Sequence, residues 1–99
     1  MTPRNRITSH PGEILEEEFL SPLGMTANAL ATALRVPANR IGAILRGERA
    51  VTADTALRLA RYFNTSAEFW LNLQTMHDLT KAAKELHQQI ERDVRPRAA

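Results

Sequence analysis

Five residues in the stretch 38–46 carry the most specific chemistry in this chain. With Ile41, Ile44 and Leu45 turned inward on a helix, the opposite face holds Asn39, Ala43 and Arg46, flanked by Arg40 and Gly42. Asparagine pairs bidentately with the edge of adenine, arginine with guanine, and an alanine methyl packs on the methyl of thymine. Small side chains let a helix lie deep in a groove about 12 Å wide. A helix that faces only water ordinarily carries Glu and Lys there, and this face has no acid. The plainer alternative is an arginine-rich solvated surface. Candidate DNA contacts are therefore Asn39, Arg40, Ala43 and Arg46, with Pro37 and Ala38 leading into the helix. Thr26, Asn28 and Arg49 are candidates for holding backbone phosphates.

Other chemistry-bearing residues point to less. His10, His77 and His87 lie far apart, and no pair has the i, i+4 spacing of a helical metal site. Adjacent helical residues diverge by about 100°, so His77-Asp78 makes a poor acid–base pair. No cysteine is present, which excludes disulfides and thiolate metal sites and suits a reducing cytosol. Neither an enzyme nor a cofactor is expected. The run Glu16-Glu17-Glu18 is a solvated helix face or, alternatively, a seat for a basic protein partner. Trp70, among Phe69, Leu71 and Leu73, reads as a core or subunit-interface residue.

Five helices are needed to position these residues. Pro11 suits a helix's first position, and Ser21-Pro22-Leu23-Gly24 is expected to end that helix, about 11–20, with Ile14, Leu15 and Phe19 inward. Thr26 caps a second helix, Ala27 to Arg35, and Val36-Pro37 breaks it. The third follows at about 38–46, with Gly47 after its end. Thr52 caps a fourth at about 53–63, and Ser66 caps a fifth at about 67–94. On that last helix Phe69, Leu73, Met76, Leu79, Ala83, Leu86, Ile90 and Val94 form an apolar stripe about 140° wide. Its outer part either packs back on the domain or joins a second subunit. The dimer is the favoured reading, with Leu79, Ala83, Leu86 and Ile90 at the interface. The tail RPRAA is expected to fray.

The second and third helices have the pattern of a helix-turn-helix at about 26–46. Ala31 is the small residue where two backbones cross, Val36 the apolar turn residue, and Leu34, Ile41 and Ile44 close the core. Any alanine-rich helical hairpin is the alternative on spacing alone. The 99 residues suffice for one domain, 1–99, with its core at about 11–80. Aromatic content of 5% favours helix over strand. Net charge is only +2, but its distribution is uneven. Residues 1–10 carry +2 from Arg4 and Arg6, residues 11–25 carry −4, residues 26–63 carry +4 entirely through arginine, and the remainder is neutral. No apolar run approaches the roughly 20 residues a membrane helix needs, and residues 1–12 lack the apolar stretch of a signal peptide. A cytoplasmic location is expected.

Read together, HPGEIL (10–15), the Leu30–Gly47 pattern, TADTALRLARYF (52–63) and SAEFWLNLQ (66–74) resemble the HigA/VapI family of antitoxins, which have an XRE-type, phage-repressor-like helix-turn-helix. The resemblance covers roughly residues 10–80. It implies an all-α, five-helix domain with a long C-terminal helix. It also implies an autorepressor that binds its own promoter as double-stranded DNA and neutralises a cognate mRNA-cleaving, RelE-like toxin. A stand-alone XRE-type repressor without a toxin is the alternative. Arg35 departs from the family, which often has glycine in the turn; it either strains the turn or adds a phosphate contact. Low-hydrophobicity tails are short at both ends, so a toxin would be held by a folded surface, with Glu16, Glu17 and Glu18 favoured.

Overall fold

A computed structural model describes residues 6–98, so Arg4 lies outside the described residues. Five helices and no strand occur among them: α1 (11–23), α2 (Ala27–Leu34), α3 (Ala38–Leu45), α4 (Ala53–Phe63) and α5 (Ala67–Asp93).

Each boundary has a local cause. His10 caps α1: its Nδ1 accepts the N–H of Gly12 at 2.9 Å, and Pro11 fills the first position, where no donor is needed. Thr26, Thr52 and Ser66 cap α2, α4 and α5, each accepting an N–H three residues on. The left-handed residues Gly24, Arg35, Gly47 and Asn64 close the first four helices. At Arg35, φ is 61° and ψ 44°, so the turn forces a long L side chain into a region that glycine enters freely.

One helix end differs from the sequence expectation. α1 does not stop before Ser21 but continues through Leu23 to Gly24. Its middle, Leu15–Leu20, is π-helical, and the Ser21 N–H bonds back to the Glu16 carbonyl. This wide turn precedes Pro22, which has no N–H to give and which sits in the first turn of the short α-helical segment Ser21–Leu23. Proline therefore restarts the α-helical ladder instead of ending it.

Inside, Leu15, Leu20, Leu30, Ala31, Leu34, Ile41, Ile44, Val51, Ala56, Leu59 and Trp70 form one core. Trp70 is fully buried, tilted against Phe19 with ring centroids 5.1 Å apart, and its Nε1 donates to Thr65 Oγ1 at 2.9 Å. α5 deviates from the expected stripe. Its buried residues are Trp70 and Gln74, while Phe69 and Met76 are exposed. The reason is that α5 meets the core only along its first two turns or so, with Leu71 and Leu73 packed at the edge. Twenty-seven residues make a helix about 40 Å long, which accounts for the molecule's 52 Å long axis against 25 and 23 Å across. Its outer half runs past the core, and residues 94–98 beyond it are irregular and exposed.

Candidate nucleic-acid interface

α2 and α3 pack closely across the turn 35–37, as a helix-turn-helix requires. Ala31 is buried at the crossing, Val36 packs on the core from the turn, and Leu34, Ile41 and Ile44 are buried beneath. Burial of Ile41 and Ile44 fixes the rotation of α3. Asn39 and Arg46 are therefore exposed, while Ala43 and Gly42 are half-covered. Pro37, Ala38, Thr26, Asn28 and Arg49 are exposed as well. Thr26 Oγ1 accepts the Ala29 N–H at 3.1 Å, which leaves its own hydroxyl proton for an outside acceptor.

Two of the arginines are already engaged. Arg46 Nε bonds Glu48 Oε1 at 3.0 Å, and a side chain at Gly42 would stand 3.2 Å from Arg46 Nη1, so the arginine folds back along its own helix. The acid-free face of α3 thus has an acid just past its end. Arg40 is tied more tightly: Nη1 bonds Asp54 Oδ2 at 2.7 Å, and its side chain is 24% exposed against 60% for Arg46. Asp54 also receives Arg58, whose Nε lies 3.2 Å from Oδ1 and 3.1 Å from Oδ2. Arg58 Nη1 in turn donates to the Leu34 carbonyl at 2.8 Å, at the end of α2. Hydrogen bonds from Arg40 and then Arg58 hold the Asp54 carboxyl below the usual carboxylate range. Asp54 and Arg58 carry no motif of their own. An acid in a helix's first turn, with an arginine four residues on, is ordinary helix chemistry, and only folding shows that it reaches α3.

Behind α3, three elements converge on His10. The backbone of α1 approaches so closely that a Cβ at Gly12 would collide with the Ile44 carbonyl. His10 itself sits under Gly47 and edge-on to His77 of α5. Gln74 fastens the loop after α3: its Oε1 accepts the Val51 N–H at 2.8 Å and its Nε2 donates to Asp78. Sequence reasoning passed over Gln74 because a polar residue in an amphipathic helix reads as solvent-facing.

Glu16, Glu17 and Glu18 are exposed on the π-helical part of α1. On α5, Leu79 is 59%, Leu86 42% and Ile90 50% exposed, with Ala83 exposed between them, so nothing among the described residues covers them. Among the described residues, no three His, Asp or Glu side chains converge as metal ligands, and no helix is long and apolar enough to cross a membrane.

Comparisons with known proteins agree with this geometry. The sequence model of the helix-turn-helix family matches residues 15–70. The chain is 57% identical to virulence-associated protein I of Dichelobacter nodosus over 76 residues, which is 77% of this chain and 70% of that protein. The structure of an addiction module antidote protein of the HigA family from Coxiella burnetii matches it with a TM-score of 0.87 at 51% identity, over 93% of this chain and 100% of that one. Antitoxin HigA of Pseudomonas aeruginosa, solved with the higBA promoter, matches with a TM-score of 0.87 at 46% identity, over 91% and 98% of the two chains.

Proposed function

The chain belongs to the helix-turn-helix family, with HigA-type antitoxins among its relatives, and from that premise we propose that it is a DNA-binding antitoxin that represses its own promoter and neutralises a cognate mRNA-cleaving toxin. The observation that carries this reading is the outward face of α3. Asn39, Ala43 and Arg46 stand free of the core on a helix whose rotation is locked by Ile41 and Ile44. A short helix so presented enters the major groove, where Asn39, Arg40 and Ala43 meet base edges while Thr26, Asn28, Arg46 and Arg49 hold phosphates. Pro37 and Ala38 lead the helix into the groove. The Pseudomonas relative solved with its promoter supports this assignment.

Two-fold operators are read by two-fold dimers with half-sites roughly 34 Å apart. The uncovered residues Leu79, Ala83, Leu86 and Ile90 supply a self-complementary apolar face for such a dimer. The toxin docks on the acidic face Glu16, Glu17 and Glu18, since a nuclease that binds RNA needs a positive surface. That leaves α3 free for DNA, and both partners meet the protein in the cytoplasm. Arg35 is a helix-closing residue in this reading, not a phosphate ligand.

Gel shifts on the protein's own upstream region test the first half, with Asn39→Ala as the probe. Selective loss of operator binding is expected, and unchanged affinity for both Asn39→Ala and Arg40→Ala refutes it. Growth rescue tests the second half: reversing the three glutamates to lysine should abolish rescue from toxin arrest. Rescue that survives reversal but is lost on trimming residues 1–9 and 95–99 moves the toxin site to the tails.

A further inference from the structure

We propose that Asp54 is a positioning residue for DNA recognition: its carboxylate presets the Arg40 guanidinium and locks α3 against α4 before DNA arrives. The inference rests on the operator-binding reading above. An anion beside a recognition helix repels phosphate and lowers affinity for every duplex, so an acid at this place needs an offsetting role. The positive end of α4 accounts for an acid in its first turn. It does not account for the two guanidinium groups on that acid.

The geometry supplies the role. Asp54 bonds Arg40 of α3 at 2.7 Å and Arg58 of α4 at 3.1 and 3.2 Å, and Arg58 reaches the Leu34 carbonyl at the end of α2. One carboxylate therefore joins all three helices around the turn. Arg40 Nε is buried without an acceptor, so the Nη1–Asp54 bond is what holds the guanidinium. Of its five N–H donors, three terminal ones remain for a base edge or phosphate. Held in place, they lose little freedom on binding, whereas an untethered arginine must be ordered at the moment of contact. The low proton affinity of Asp54 keeps the clamp charged at neutral pH.

Charge and positioning predict opposite signs, which makes the test decisive. Operator and scrambled duplexes are titrated by fluorescence anisotropy against wild type, Asp54→Asn, Asp54→Glu and Arg58→Gln, with thermal melts on each. Asp54→Asn makes the protein more positive, so it should bind scrambled DNA at least as tightly. It should nonetheless lose about tenfold in operator affinity, so discrimination collapses. Asp54→Glu should restore most of it, and Arg58→Gln, which leaves the Arg40 bond in place, should retain it. Asp54→Asn binding operator as tightly as wild type with discrimination intact overturns the proposal, as does an equal loss in Arg58→Gln. If Asp54→Asn fails to fold, Asp54→Ser, which likewise removes the carboxylate and leaves the Arg40 guanidinium in place, decides: discrimination lost in the folded variant supports the proposal, and discrimination kept overturns it. A wild type that fails to discriminate at all removes the operator reading, and the proposal with it.

Discussion

The ring of His77 stands edge-on to that of His10, with centroids 5.0 Å apart and planes at 78°. Each has a fixed tautomeric task. His10 Nδ1 accepts from Gly12 and must be bare, whereas His77 Nδ1 lies 2.7 Å from the Thr8 carbonyl and must carry its proton. The pair ties the start of α1 to α5, directly behind the loop that leaves α3.

Acidification should therefore loosen the domain. Burial, and next the neighbouring His77, lower the His10 pKa, while Asp78, Glu13 and the Arg49 backbone oppose the shift only in part. The unfolded chain takes up this proton near pH 6.5, the folded chain at a lower pH. Below about pH 6.5 the unfolded state thus binds more protons, so stability is full above that value and is lost as pH falls. Melting between pH 7.5 and 5 (roughly spanning that range) should show the decline. His10→Asn, whose carbonyl can still cap, should flatten it; an equally steep slope in that variant would assign the effect to other groups.

Gly12→Ala should destabilise by about 1–3 kcal/mol or more, because the new methyl meets backbone at Ile44 and cannot be evaded by a rotamer change. Denaturant titration measures the loss. A wild-type midpoint would mean that α1 and α3 separate at little cost.

Arg35→Gly should have the opposite effect. Left-handed geometry costs an L residue about 1–2 kcal/mol, and glycine returns about 0.5–1 of that as chain entropy. A net gain of about 0.5–1 kcal/mol, roughly 2–8 °C in Tm, is expected. A fall in Tm would show that the Arg35 side chain makes a stabilising contact in solution.

Arg46 and Arg49 should act mainly through phosphates. Alanine at Arg49 should weaken all duplexes alike and reduce the log–log salt slope by about 1. Because Glu48 competes for Arg46 at 3.0 Å, Glu48→Gln should tighten binding irrespective of sequence. A change in preference among operator variants, with the slope unaltered, would make these residues base readers instead.

Leu86→Asp or Ile90→Asp should reduce dimerisation without changing helix content, since both side chains are exposed and far from the core. Light scattering with circular dichroism checks this. A wild type that is monomeric at micromolar concentration, and binds operator as a monomer, refutes the α5 interface.

Caps, breakers and periodicity made the helices legible from the sequence. Thr26, Thr52, Ser66, Pro37 and Gly47 act on backbone groups within a few residues, so their effects are local and can be read in order. The inward Ile41 and Ile44, and with them the outward Asn39 and Arg46, follow from the helical period alone. The extension of α1 through Pro22 was not legible, because a π-helical turn depends on how Leu15 and Leu20 seat in the core. Neither was the face of α5 that turns inward, since periodicity marks where apolar residues lie but not how far the neighbouring helices extend to cover them. Arg40 on Asp54, His10 against His77 and Gln74 on Val51 are likewise tertiary facts. Each joins residues far apart in sequence, and their distances are set by how whole helices pack, which no local pattern encodes.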